Sequence, residues 1–563
     1  MLILRKAIVI ITLLQVILPY STFGNEDAPK SYFVKPIDFI CDYPFDDVNK
    51  LAVTCRVWGL LKYFHPNVTA GNLDWDKVLL DRLAKINEAE TADQVNDELM
   101  QMIRIAGEYE VAIDTTWDDS LNMNVNLCWI DNSFIDDSIR QILREIASLT
   151  VTNYWYYLEY GINTPNNEKD YPTGIVNVPY EYSMLALFRY WNVIYYFFPY
   201  KYLMDQSWDM TLSEFIPIFP KTTLVSDYHK NIQKLAARLN DGHGFTSSFV
   251  AGQVSANGTS INPFLTLIDT SIVVRNPPEG SLLKTGDIVL SINGNTIQSL
   301  KDSIMPLIPS SNLRFTYNIF YNHIFYSLIR VGCELSILRN QQEITFREPV
   351  TKIPDLQISS SPSISISSDV FYLNLGKLKT EDMPGMLDSL NNYKGIIIDM
   401  RNGWPLDMGF VIPYYFFQTK EYCSAMVTEA DFSHPGAFYK REVISGFSNE
   451  IRQENKAYTG RKVLLLNERI MSAGETWAML FRLNGFTLIG TPTAGANGNV
   501  KYIPLPGYNI NAYFSGLGWY YPNGEQMQRT GIIPDIEVYP TMDDIMAGRD
   551  EVLEAAIKFL NAD

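Results

Sequence analysis

The sequence predicts an α/β multidomain chain built from a duplicated helical N-terminal region, a small β-domain and an α/β core. Three observations carry this. Motifs in the first half recur at a fixed offset. A stretch from about residue 257 to 349 switches to short β-branched runs and turn signals. Beyond residue 369, strand-like and helix-like patterns alternate, which is the pattern of a layered α/β architecture. At 563 residues the chain exceeds what one hydrophobic core organises, and its length implies roughly three or four domains.

The first element is a signal peptide over residues 1–24. Arg5 and Lys6 give a positive start, Ala7 to Leu18 is an apolar run broken only by Thr12 and Gln15, and Ser21, Thr22 and Gly24 suit a cleavage site. The run is short for a membrane span, which takes about 20 residues. No later stretch is long and apolar enough to span a bilayer. The expected protein is exported, periplasmic or extracellular, and soluble after cleavage. A net charge of −18 with no Lys/Arg cluster beyond the leader argues against a nucleic-acid partner, since phosphate neutralisation needs clustered cations.

Residues 25–160 and 161–255 form two helical units. Trp58-Gly-Leu-Leu-Lys-Tyr63-Phe64-His-Pro66 matches Trp191-Asn-Val-Ile-Tyr-Tyr196-Phe197-Phe-Pro199, and Asp74-Trp75-Asp76 matches Ser207-Trp208-Asp209. Both matches fall at an offset of 133 (191 − 58 and 208 − 75), which argues for an internal duplication. Apolar residues three and four apart, as in Leu79-Leu80-Leu83 and Leu99-Met102-Ile103, predict helices. The aromatic residues of the repeat are expected in its core.

The second unit ends in Asn240-Asp241-Gly242-His243-Gly244. The first unit has no histidine at the matching place, Gly107 to Val111, and the chain holds only five histidines. An imidazole between glycines after a helix belongs to a tight loop. It reads equally as a structural loop residue or as a catalytic one. Asp241 is expected to anchor the loop.

Residues 256–352 form the β-domain. Ile272-Val273-Val274 is β-branched, and Leu283 to Asn295 contains a turn, a strand and an Asn-Gly hairpin signal. This stretch resembles a PDZ domain, which implies capture of a peptide C-terminus by strand addition. Ser359 to Ser368 reads as a linker or an edge strand.

Residues 353–563 form the core. Val370–Leu375, Gly395–Asp399, Val463–Leu466 and Thr487–Ile489 are strand-like; Met383–Leu390, Ala473–Leu483 and Glu551–Leu560 are helix-like. Ser472 stands between a buried strand and a helix. Locally, Ser472 and Glu475 also satisfy a capping box, with Glu475 a helix-start residue. A serine in that place lies beside free backbone N–H groups and the positive end of the helix dipole, where an oxyanion is stabilised.

Four segments in order, Gly395-Ile-Ile-Ile-Asp-Met-Arg401-Asn402-Gly403, Met471-Ser472-Ala473-Gly474-Glu475, Gly490-Thr-Pro-Thr-Ala-Gly495-Ala and Gly531-Ile-Ile-Pro-Asp535, resemble the C-terminal-processing and tricorn-type serine peptidases. Asp241-Gly-His243 is similar to their short histidine motif before the PDZ domain. The resemblance spans roughly residues 185 to 563 and implies a ClpP/crotonase-like α/β protease core. It also implies a polypeptide substrate, an acyl-enzyme on Ser472, and an oxyanion hole from the Ala473 N–H and one from the turn at Asn402 and Gly403.

The sequence departs from the Ser-Lys branch, whose lysine follows the serine by 25 positions: residue 497 is asparagine. Lys501 is off the motif and expected at the surface. In the tricorn branch histidine is the base, which maps to His243, whose imidazole ordinarily titrates at about 6.5. The serine preceding that histidine is absent, since Gly242 stands there. The family's C-terminal glutamate maps in the region of Glu525, whose other reading is an exposed turn charge. A second reading is an inactive peptide- or lipid-binding scaffold on the same fold, distinguished by whether His243 approaches Ser472. No phosphate loop, H-E-x-x-H or calcium loop occurs, so no metal and no cofactor is expected. Five scattered cysteines exclude a zinc pair; a Cys41–Cys55 disulfide is compatible with export, and the remaining thiols are expected to be buried and inert.

Overall fold

The computed structural model describes residues 41–109, 122–151, 156–159, 164–174, 176–248, 264–350, 363–378, 390–403, 412–417, 424–444 and 458–562. The signal peptide, the Met383–Leu390 helix apart from its last residue, residues 359–362 of the Ser359–Ser368 segment and Cys423 lie outside them.

The helical region opens with α1 (Asp47–Phe64), α2 (Trp75–Glu88) and α3 (Ala92–Ala106), and resumes with α4 (Tyr180–Phe197), α5 (Trp208–Phe215) and α6 (Val225–Ala237). Side chains at both ends of each repeat motif bond reciprocally. The Trp58 indole donates to the Trp75 carbonyl and Trp75 to that of Trp58; Trp191 and Trp208 do the same. Helices α1 and α4 pack on each other around one contact, Gly59 against Asn192, which are equivalent by the offset of 133. A Cβ on Gly59 would lie 1.7 Å from Asn192 Oδ1, so only glycine lets the helices approach. Around this contact Arg56 pairs with Asp209 and Arg189 with Asp76, each arginine bonded to the other copy's aspartate.

Next come the strands β1 (Thr246–Ser247), β2 (Leu265–Ile268), β3 (Ser271–Val274), β4 (Ile288–Ile292), β5 (Cys333–Arg339) and β6 (Gln342–Glu348). The last five form an antiparallel sheet in the order β6-β5-β4-β3-β2. Helix α7 (Leu313–Ile324) covers it through Phe315, Ile319 and Phe320. The same apolar cluster takes in Ala494 and Ala496, with Met471 against it, so this unit packs directly on the segments flanking Ser472.

The core contributes β7 (Ser363–Ser365), β8 (Val370–Asn374), β9 (Gly395–Asp399), β10 (Ser424–Asp431), β11 (Ala437–Ile444), β12 (Arg461–Leu466), α8 (Ala473–Leu483), β13 (Thr487–Gly490), β14 (Val500–Leu505), β15 (Ile510–Ser515), β16 (Leu517–Tyr520), β17 (Ile536–Glu537) and α9 (Glu551–Asn561). The central sheet runs β7-β8-β9-β12-β13-β17, parallel from β8 to β17 with β7 antiparallel at the edge. Ile396, Ile398, Leu464 and Leu466 face the layer containing α8, while Ile397, Val463 and Leu465 face α9. Covering both faces explains why β9 and β12 read as continuous apolar runs.

The units interlock. Strand β1, just after His243, adds to β14-β15, and Asn122–Met123 pairs with β11 in the sheet completed by β10 and β16. Cys41 bonds to Cys128, with Cα atoms 5.0 Å apart, rather than to Cys55. Cys55 instead lies buried in α1, where the Asn192 amide contacts its sulfur. Burial raises the Cys55 thiol well above its ordinary range and that of Cys333 to about 11, so both are poor nucleophiles.

Candidate active site

Ser472 occupies the turn between β12 and α8 with φ 55° and ψ −124°. A non-glycine residue in that region is strained, and the strain persists only where surrounding structure over-determines it. Two contacts do so here. The Ser472 N–H donates to the Ala496 carbonyl at 2.7 Å, and the Ser472 carbonyl accepts from Glu475 and Thr476. The side chain makes no capping bond to α8, so the capping box expected locally is not formed.

Glu475 serves another purpose. It is fully buried, and its carboxylate accepts from Thr493 Oγ1 at 2.5 Å, Gly495 N at 2.7 Å and Ala496 N at 2.9 Å. Burial pushes its pKa up to about 7 against the pull of these donors. Glu475 thereby fixes the loop whose Ala496 carbonyl holds Ser472.

His243 arrives from the other side of that loop. A Cβ on Gly242 would lie 2.7 Å from the Ala496 Cβ and 3.0 Å from the Phe315 ring, so a serine at 242 has no room. The Asp241 carboxylate accepts from His243 N at 3.1 Å, Ser515 N at 2.9 Å and Gln528 Nε2 at 3.0 Å. His243 Nδ1 contacts Ser515 Oγ at 2.9 Å and stands 3.9 Å from Asp241 Oδ1. Its Nε2 is buried without a hydrogen-bond partner, so no Ser472–His243 bond is made in this state. Burial lowers the His243 pKa below its ordinary value, opposed by the Asp241 charge.

The other expected residues fall as follows. The Ala473 N–H stands at the first turn of α8, beside Ser472. The Asn402 and Gly403 turn is tied to the Ser472 approach, because the Arg401 carbonyl accepts from Asn467 Nδ2 and Arg469 Nη2. The Gly403 N–H, however, is used within the turn by the Met400 carbonyl at 3.1 Å. Glu525 is exposed in the Asn523–Gln526 turn and makes no contact with His243; Ser515 and Asp241 occupy the imidazole's other side. Asn497 is buried, its amide donating to Thr476 Oγ1 at 3.0 Å. Lys501 is not a surface charge but buried on β14, because its stem fills the space over Gly516. Ser515 and Gln528 were not anticipated: nothing local marks them, and only the pairing of β15 with β1 brings Ser515 beside His243. Among the described residues no cluster of three or more His, Cys, Asp or Glu could hold a metal ion, and no helix is long and apolar enough to cross a membrane.

A strained serine after a parallel strand thus shares the Ala496 contact with the loop that carries His243. Residues 369–538 match the model of peptidase family S41. No curated protein matches the chain. Among solved structures, a mutant of CPAF is 12% identical and covers 68% of this chain and 98% of its own, with a TM-score of 0.52; it shares the fold. A peptidase-like protein from Parabacteroides merdae (16% identical, 69% and 98% covered, TM-score 0.40) and the photosystem II D1 C-terminal processing protease (14%, 68% and 98%, 0.37) also align.

Proposed function

We propose that this protein is an exported serine endopeptidase that cleaves polypeptides through an acyl-enzyme on Ser472, with His243 as general base and acid. The observation that supports this best is the shared Ala496 pivot. One residue fixes the Ser472 backbone through its carbonyl and abuts Gly242, the neighbour of His243, through its methyl. Substrate binding would bring His243 Nε2 to the Ser472 hydroxyl, since catalytic hydrogen bonds often tighten only in the substrate complex. His243 would take the hydroxyl proton as Ser472 attacks the carbonyl, then return it to the leaving amine. Ser515 and Asp241 would orient and polarise the imidazole, in place of the glutamate expected near residue 525. The Ala473 N–H, with one from the Asn402–Gly403 turn after it opens, would hold the oxyanion. The β-unit over residues 264–350, read as PDZ-like, would bind the substrate C-terminus, and the duplicated helical region would cap the site.

A serine-reactive fluorophosphonate probe followed by mass spectrometry tests this. Labelling at Ser472 that is lost in Ser472→Ala and His243→Ala supports it. No labelling of folded protein, with and without added unfolded polypeptide, overturns it in favour of a binding scaffold.

A further inference from the structure

The Gln528 amide touches both sides of the site. The residue is buried. Its Nε2 donates to Asp241 Oδ1 at 3.0 Å, the oxygen that also accepts the His243 N–H and stands 3.9 Å from His243 Nδ1. Its Oε1 accepts from Asn497 N at 3.0 Å. Asn497 follows Ala496, whose carbonyl holds the Ser472 N–H and whose methyl abuts Gly242. One side chain thus bonds the histidine loop through its donor end and the loop behind Ser472 through its acceptor end.

The backbone around Gln528 is pinned to that same loop. Arg529 has φ 69°, in the left-handed region that is uncommon for a residue other than glycine. Its N–H donates to the Gly495 carbonyl at 2.7 Å, and Ile532 N donates to Thr493 Oγ1 at 2.7 Å. A Cβ on Gly495 would lie 2.8 Å from the Arg529 carbonyl carbon, so the two segments meet without slack. Ser472 and Arg529, both at positive φ, therefore donate their N–H groups to consecutive carbonyls, those of Ala496 and Gly495. The amide of Gln528 is delivered to Asp241 from this fixed base.

We infer that Gln528 is a positioning residue for the reaction, setting the His243 loop against the Ser472 loop and tempering the field of Asp241 at the imidazole. It rests on the peptidase reading for the reaction it serves. Asp241 is fully buried and accepts from three neutral N–H groups, of His243, Ser515 and Gln528. Donors to a carboxylate stabilise its charge and weaken its pull on other groups nearby. Of these three, only the Gln528 donor belongs to a side chain, so it is the one a substitution removes. Other charges packed near the imidazole are turned elsewhere. Glu475 on α8 faces Thr493, Gly495 and Ala496, Arg529 reaches the Ser311 carbonyl and Asp205, and β15 presents the uncharged Ser515. An amide suits the place because it offers one donor end and one acceptor end, whereas an ionised carboxylate offers acceptors alone and would face Asp241 as a like charge.

The test compares full-length mature wild type with Gln528→Met, which keeps the side-chain length but neither bond, and with Gln528→Glu. The protonated acid of Gln528→Glu keeps one donor and one acceptor; its ionised form does not. Peptide cleavage is followed across the pH range of histidine titration, and the His243 signal is titrated by NMR on protein carrying isotope-labelled histidine, identified by its loss in His243→Gln. Gln528→Met should lower kcat about ten- to hundredfold with KM within about twofold. It should also raise the His243 pKa by about half a unit or more, because Asp241 is less neutralised. Gln528→Glu should approach wild-type kcat at the acid end and fall to the Gln528→Met level as pH rises. A glutamine that only fills space would let methionine serve at every pH and leave the His243 titration in place; that result overturns the inference, as does a Gln528→Glu profile parallel to wild type. Should Gln528→Met not fold, Gln528→Glu against wild type decides by the same criterion. The histidine titration needs only folded protein, so it separates the two readings. A His243 shift in a protein that cleaves nothing keeps the bridge and removes the peptidase, and cleavage with an unshifted His243 does the reverse.

Discussion

His243 Nδ1 lies 2.9 Å from Ser515 Oγ, a contact between residues 272 positions apart. It leaves Nε2 as the nitrogen able to act on substrate, and it exists because β1 follows the histidine loop directly and pairs with β15.

Ser515→Ala should therefore reduce kcat with little change in KM, since the imidazole loses orientation and not substrate contact. Loss of one neutral hydrogen bond of about 1 kcal/mol predicts a fall of roughly five- to tenfold. His243→Ala should cost about 10²–10⁴. Steady-state kinetics on one peptide check both; an unchanged Ser515→Ala enzyme removes the orienting role.

The pH profile follows from the lowered His243 pKa. On the proposed mechanism His243 acts as the neutral imidazole, so the acid limb of kcat/KM should fall below the ordinary histidine value of about 6.5. The stability sign agrees. The folded state resists protonation of His243 while the unfolded state accepts it, so this residue's contribution is present above about 6.5 and is lost as pH falls. A limb above pH 7 would contradict the burial of His243.

Glu475 has the opposite sign. Its folded pKa of about 7 lies above the ordinary 4.5, so its contribution is present below 4.5 and lost as pH rises towards 7. Glu475→Gln removes the titration but turns an amide N–H towards donors at Gly495 and Ala496. We expect a loss of about 1–3 kcal/mol at neutral pH and weaker fluorophosphonate labelling of Ser472, with urea unfolding at pH 5 and pH 8 converging relative to wild type. Equal pH dependence in both proteins would exclude Glu475 as the titrating group.

The exchanged ion pairs of the helical repeat predict unequal responses. Arg56 and Arg189 are both fully buried, but Arg189 also pairs with the buried Glu168 at 2.9 Å, so it is Asp209→Asn that strands a buried cation, at a cost of about 3–5 kcal/mol. Asp209→Asn should exceed Asp76→Asn, because Glu168 still pairs with both Arg189 and Lys62 when the Asp76 charge is lost. Burial alone would raise the Asp76 pKa, but Arg189 and Lys62 hold it below the usual range, so its contribution is lost as pH falls. Chemical denaturation of the two variants at neutral and acid pH measures both effects.

Much of this protein is legible from local pattern. The continuous apolar runs of β9 and β12, the Ala473–Leu483 helix and the 133-residue offset all depend on near neighbours or on repetition, and the sequence carries them in full. The strand-to-helix position of Ser472 follows for the same reason. What the sequence could not determine is how distant segments meet. The Cys41–Cys128 bond, the burial of Lys501, the exposure of Glu525 and the contact of Ser515 with His243 each depend on how separate elements pack. Even the duplicated motif is silent about its exchange: equal spacing marks Arg56 and Arg189 as equivalent, but only packing around Gly59 and Asn192 gives each arginine the other copy's aspartate. Local propensity sets the elements, and long-range packing, which excludes water and makes an unpartnered buried polar group costly, decides which side chains meet around Ser472 and His243.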